Sequence, residues 1–305
     1  MLKERIISNK KFWKKLTEGE YKEIIDYAYK CDNELDVQIR DNYLNIYYKG
    51  GSLLKISYRS LYFDEFYFHR VEQMRKTHLK KQAKEGDKKC IALWESYKEK
   101  REEMLNILKN DGMANYCPKM KSIMNEWEDD LRSIGIKHDE KNDQQQISMN
   151  NRGTTSYTVV DLEYAVSIDS LFSYDGPLIK KVPRFDIIAV DKSGQLYVIE
   201  LKTGLGAIDG NSGICSHVDC FKNTIGRDSK NDFVNEMVKL LEQKIELNLI
   251  DNNVKIDKTK KPQFIFAFSD KPGEHRYEEF VNTCKNRGYN GKVIYVGNDY
   301  KLRDK

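Results

Sequence analysis

The stretch VPRFDIIAVDKSGQLYVIELKT, residues 182–203, reads as two strands joined by a turn. Residues 182–190 and 195–201 are its apolar runs. Asp191, Lys192, Ser193 and Gly194 between them supply the polar, glycine-ended turn of a hairpin. Side chains alternate faces along a strand. Arg184, Asp186, Ile188 and Val190 therefore share one face of the first strand, and Leu196, Val198, Glu200 and Lys202 share one face of the second. Simple antiparallel register brings Asp186 opposite the far end of the second strand, where Glu200 and Lys202 stand. Two carboxylates and one ammonium then converge at the edge of an apolar hairpin. An unpaired buried carboxylate is costly, and two together call for a cation. Mg²⁺ favours carboxylate oxygens and water. The competing reading is a surface hairpin with an ordinary Glu–Lys pair.

Pro183, Asp186 and Glu200-Leu201-Lys202, followed by Thr203-Gly204, resemble the active-site signature of the PD-(D/E)XK nuclease superfamily, the restriction-endonuclease-like fold. Arg184 and Phe185 separate Pro183 from Asp186, a spacing the family tolerates. The resemblance spans roughly residues 155–300. It implies Asp186 and Glu200 as metal ligands, Mg²⁺ or Mn²⁺ as cofactor, and Lys202 as the catalytic lysine that orients or activates the attacking water. The implied activity is that of an endonuclease, a metal-dependent hydrolase of phosphodiester bonds, with DNA ahead of RNA as substrate. In such nucleases a helix before the first core strand can supply a further acid. Residues 118–134 have helical spacing, which makes Glu126 and Glu128 the candidates.

Outward from the hairpin, residues 157–168 are the expected first core strand. Val160, Leu162, Tyr164 and Val166 take one face, and Val159, Asp161, Glu163 and Ala165 the other. Glu163 is a further candidate metal ligand, or else Asp161 and Glu163 simply face solvent. After the hairpin, TGLGAIDGNSG lacks the spacing of a phosphate-binding loop. Ile214, Val218, Phe221 and Ile225 then mark a helix. His217 and Lys222 lie off its apolar side and are candidate nucleic-acid contacts, with an ordinary surface role for His217 as the alternative. A helix over 233–249, a buried strand over 263–269, a helix over 275–287 and a strand over 292–297 complete a mixed α/β sheet flanked by helices.

Before this core, residues 1–30 look helical and 35–68 look like an antiparallel meander of three or four strands. Its tyrosines, with Lys49, Lys55 and Arg59, suit either a nucleic-acid surface or aromatic cross-strand packing. Residues 76–89 form a basic run in which Lys80 and Lys81 are candidate phosphate contacts, or part of a solvated face. Residues 137–156 have almost no apolar side chains and read as an exposed loop. The expected organisation is an N-terminal accessory α+β module over 1–115 and a nuclease-like domain over 116–305. The second is expected to keep the metal site when separated from the first.

Composition bounds the partners. The chain has 305 residues, 39% hydrophobic and 33% charged, with net charge +4, which permits nucleic-acid binding without demanding it. No apolar run is long enough to span a membrane and no leader pattern is present, so a cytoplasmic protein is expected. The six cysteines have no zinc-ribbon spacing; Cys215 and Cys220 flank His217, and reduced thiols are the expectation. Three other functions stay open: an inactive member of the fold that binds nucleic acid or a protein, a structural or regulatory protein, and a ribonuclease with the same site. A homodimer is compatible with each.

Overall fold

A computed structural model describes residues 5–31, 34–68, 88–136, 139–166, 184–205, 213–269 and 276–305. Pro183, Lys80 and Lys81 lie outside the described residues. The chain is α/β, with one antiparallel and one mixed sheet.

Helices α1 (Lys10–Thr17) and α2 (Lys22–Lys30) precede β1 (Leu35–Arg40), β2 (Tyr43–Tyr48), β3 (Gly51–Ser57) and β4 (Leu61–Tyr62). These strands pair antiparallel in the order β1-β2-β3-β4, the expected meander. Helices α3 (Lys88–Asn110) and α4 (Met113–Ser133) follow. The anticipated boundary at 115/116 falls inside α4. That helix packs on the first sheet: the Tyr116 hydroxyl donates to the Leu53 carbonyl at 2.8 Å, and Tyr67 meets Trp127 edge-on at 5.3 Å.

The stretch expected to be an exposed loop contains a helix, α5 (Asp139–Asn150). Its sequence hides this because the buried face is polar. Asp143, Gln144, Gln145 and Ser148 are buried along with Ile147 and Met149. Hydrogen bonds replace apolar contact: the Gln145 amide donates to the carbonyls of Glu34 (3.1 Å) and Tyr47 (3.2 Å).

The second sheet has the order β10-β9-β8-β7-β6-β5. Its strands are β5 (Tyr157–Ala165), β6 (Arg184–Asp191), β7 (Leu196–Thr203), β8 (Gln263–Ser269), β9 (Val293–Val296) and β10 (Leu302–Arg303). β5, β6 and β7 are antiparallel, β8 runs parallel to β7 and β9 parallel to β8. Helices α6 (Ile214–Asn223), α7 (Asp232–Glu246) and α8 (Tyr277–Asn286) contribute Ile214, Met237 and Phe280 to the core on the face of Val198, Phe266 and Phe268. On the opposite face Ile147 of α5 packs with Ile187, Ile199 and Ile265. Among the described residues no helix is long and apolar enough to cross a membrane.

Strand β1 joins the two sheets. All six of its residues are buried, so both faces are covered. Leu35, Val37 and Ile39 enter the hydrophobic core. Asp36, Gln38 and Arg40, on the other face, meet charged and polar groups from the second half of the chain. Arg40 Nη1 lies 2.6 Å from Asp161 Oδ1, and Gln38 accepts from Lys244 Nζ at 2.7 Å. The Ser148 hydroxyl accepts from Gln38 (2.9 Å) and donates to Asp36 (3.2 Å). Asp161 therefore does not face solvent; it is fully buried against Arg40. Removing one partner of such a pair costs about 3–5 kcal/mol, because the other charge is left buried alone.

Burial pushes the Lys244 amine down to about 8, with Asp161 and Asp36 pulling the other way. The unfolded chain then holds a proton that the folded chain has lost between about pH 8 and the ordinary lysine value of 10.5, so stability rises with pH in that window. Relative to Lys244→Met, the parent should gain on the order of 3 kcal/mol across it, read from urea midpoints. Parallel pH profiles for the two proteins would show that Lys244 stays charged.

Candidate active site

The hairpin forms as its sequence indicates. Asp191 closes the turn by accepting from the backbone N–H groups of Ser193 (2.8 Å) and Gln195 (3.0 Å), and Gly194 takes the positive φ (81°) that the turn needs. Val190 pairs with Leu196, Ala189 with Tyr197, Ile188 with Val198 and Ile187 with Ile199. In this register the next facing pair is Asp186 and Glu200, and there the ladder stops. The Leu201 N–H bonds instead to Asp186 Oδ2 at 2.9 Å. The strands open where the two carboxylates meet.

Glu200 is only 5% exposed and Lys202 7%. Glu200 Oε1 lies 3.2 Å from Lys202 Nζ and 3.0 Å from His217 Nε2. Glu200 Oε2 is buried with no hydrogen-bond partner. Burial raises the Glu200 carboxyl to about 7, in spite of the opposing pull of Lys202. The Asp186 carboxyl is raised well above the usual carboxylate range by burial and then by Glu200, with the Leu201 N–H acting against both. Two facing carboxyls, each disfavoured as an anion, and one orphaned oxygen fit a divalent cation that keeps water in its remaining positions.

A third acid comes from a helix that the sequence did not reveal. Glu140, in the first turn of α5, is close enough to push both Asp186 and Glu200 further up. This helix, and not the one carrying Glu126 and Glu128, directly precedes the first strand of the second sheet. Glu126 and Glu128 sit on α4 against the first sheet. The legible signal for Glu140 was its spacing: Glu140, Gln144 and Ile147 recur on one helical face.

Glu163 falls opposite Asp186 along β5 and β6 but turns its carboxylate to an arginine. It lies between the pairs Leu162–Ile187 and Tyr164–Phe185, at a positive φ of 52°. Its carboxylate accepts from Arg184 Nη1 at 3.0 Å and adds to the rise of Asp186, less than Glu140 does. His217, by contrast, joins the site directly. Lys222, five residues on, is exposed and faces a different side of α6. Helical geometry also scatters Cys215, His217 and Cys220, and Cys215 Sγ bonds to the Arg287 carbonyl at 3.4 Å. Among the described residues no cluster of three or more His, Cys, Asp or Glu side chains is gathered as a ready metal cage.

Comparison with family models, with characterised proteins and with solved structures finds no match to this chain.

The raised carboxyls make the folded chain the better proton binder. Their contribution to stability is present at low pH and is lost as pH rises through the folded values, about 7 for Glu200. Thermal melts without divalent ions should therefore decline between pH 5 and 8. Asp186→Asn removes one of the two facing charges and should recover on the order of 1–3 kcal/mol at pH 8 while changing little at pH 5. An equal or lower melting temperature for the variant at pH 8 would mean that the two carboxyls do not repel.

Proposed function

We propose that this protein is a metal-dependent nuclease of restriction-endonuclease-like architecture that hydrolyses phosphodiester bonds, with DNA as the first substrate to test. The observation that carries the reading is the meeting of Asp186 and Glu200 at the open end of the β6–β7 hairpin, with Lys202 on the same face. The sheet order supports it as well: three antiparallel strands are followed by a parallel strand on the β7 side, with a helix before the first strand. Asp186 and Glu200 would hold Mg²⁺ or Mn²⁺, and Glu140 would complete the acidic set.

When bound, the cation supplies neutralising charge for the phosphate and lowers the pKa of water. The chain's own groups divide the remaining work. The Leu201 N–H fixes the orientation of Asp186, and Lys202 donates to Glu200 Oε1, with His217 Nε2 3.0 Å from the same oxygen. Lys202, itself 7% exposed, brings a positive charge and donor hydrogens to the site, where they would stabilise charge that grows on phosphate oxygens in the transition state. Substrate and nucleophile are both negative, so this fixed positive charge is what the reaction requires. The reading places the protein in a reducing compartment such as the cytoplasm, which the free cysteines among the described residues fit.

The test is incubation of the purified protein with supercoiled, linear and single-stranded DNA and with RNA, in Mg²⁺, Mn²⁺ or EDTA. Asp186→Asn and Glu200→Gln should abolish cleavage. Lys202→Ala should slow it by about 10²-fold or more, and Glu140→Gln by about 10-fold or more. Glu126→Gln should cleave like the parent. Cleavage of RNA alone would reassign the substrate. If no nucleic acid is cut with any ion, or the Asp186 and Glu200 variants cut like the parent, the protein is a binding module built on the same scaffold.

A further inference from the structure

A second concave site lies on the first sheet, apart from the carboxylates. It is a cavity of about 340 Å³, within the range of small-ligand pockets and too small to admit a duplex. Tyr43, Tyr47, Tyr67 and Trp127 supply aromatic walls, and Asn45 and Ser52, buried and bonded to each other at 2.7 Å, supply an amide and a hydroxyl. Lys49, Lys55 and Lys141 line it too, the first and last exposed at its rim. Asp64 and Glu128 are its acids, and Lys55 lies 3.4 Å from Asp64. Three lysines against two carboxylates leave the cavity positive, which disfavours a cationic guest despite the aromatic walls.

The cavity is joined to the candidate active site through α5. Gly50 packs so closely on this helix that an added Cβ would stand 2.7 Å from the Lys141 backbone. The Gly50 N–H bonds to the Gln145 side chain, whose amide in turn donates to the Tyr47 carbonyl at 3.2 Å. Lys141 lines the cavity, while its neighbour Glu140 acts on Asp186 and Glu200. Neighbouring residues of one helical turn thus line the cavity and act electrostatically on the two carboxyls.

We infer that this cavity binds a single unstacked nucleotide, the base against the aromatic walls and the phosphate towards Lys49 and Lys141. Base–aromatic stacking is tolerant of sequence and contributes about 1–3 kcal/mol per base. The polar floor offers both donors and acceptors to a base edge. Taken with the proposed nuclease activity, on which this part rests, the cavity makes single-stranded or locally unpaired nucleic acid the substrate, one of whose nucleotides it holds.

The test separates the two claims. Binding of dAMP to the full-length protein in EDTA is measured by calorimetry, beside deoxyribose 5-phosphate as the probe without a base. Saturable one-to-one binding of dAMP is expected, at least 10-fold tighter than the sugar phosphate. Tyr47→Ala and Lys141→Ala should each weaken it at least 10-fold, Tyr47→Phe should retain it, and Glu200→Gln should leave it unchanged. Melting temperatures confirm that the variants fold, and Tyr43→Ala replaces Tyr47→Ala if that variant does not. Absence of saturable binding, or binding indifferent to the cavity variants, overturns the inference, even if the protein cuts DNA and Glu200→Gln does not. Binding that follows the variants in a protein that cuts no nucleic acid upholds the cavity and removes the nuclease reading.

Discussion

Two carboxyls that face each other, Glu200 buried and Asp186 half-buried, set the terms for the rest of the second sheet. In the β6–β7 register they are the pair that follows Ile187–Ile199, and the ladder ends rather than hold them at strand spacing. Everything nearby answers the resulting electrostatic problem. Lys202 and His217 come to one oxygen of Glu200, and a backbone N–H comes to Asp186. These contacts do not cancel the desolvation, and both carboxyls remain raised. A hairpin built only for stability would place an apolar pair at this position. The site keeps its charges and holds them in a geometry that a cation and an anionic substrate can complete.

The N-terminal sheet meets this arrangement through the polar face of β1. Arg40 neutralises Asp161, which lies on β5 beside the hairpin, and Gln38 receives Lys244 from α7. Polar groups at such a seam demand directional partners, so they fix one docking geometry where apolar contact would tolerate several. A cut at 115/116 divides α4 and strips Asp161 and Lys244 of these partners. The first sheet thereby does more than accompany the second, because the second half of the chain depends on it to satisfy buried charge.

The parts of the fold that were legible in sequence are those where burial is apolar. Residues 187–190 and 196–199 are apolar runs on either side of a polar turn, 264–268 is a continuous apolar run, and α7 carries its stripe of Val234, Leu241 and neighbours, so period and composition agree. The illegible parts are those where burial is polar. Helix α5 hides Gln144, Gln145 and Ser148 by hydrogen bonding, so its low hydropathy resembles an exposed loop, and Glu140 went unseen with it. Strand β5 misleads for a related reason. Its register shifts between Val159 and Asp161, and Glu163 takes a left-handed backbone, so simple alternation does not foretell that Asp161 turns inward while Glu163 turns to Arg184. The separation of Glu200 from His217 by a glycine-rich connection also keeps their meeting out of reach of local spacing.

The parallel step from β7 to β8 bears on how the molecule comes apart. Tyr197 pairs with Gln263 across 66 positions of chain, whereas β6 and β7 are joined by a four-residue turn. Loop-closure entropy makes the long pairing the slower one to form, after the hairpin exists. Asp186 and Glu200 are then brought together while water still screens them, and they lose that water only when β8 and its helices close over the sheet. On this hypothesis their repulsion belongs to the last step of folding and the first of unfolding. Raising the pH should shift the unfolding limb of a chevron plot to higher rates and leave the refolding limb nearly still, and a response confined to refolding would place the desolvation early. The same carboxylates that would receive a substrate therefore also act as the latch whose charge state sets how long the native sheet stays closed.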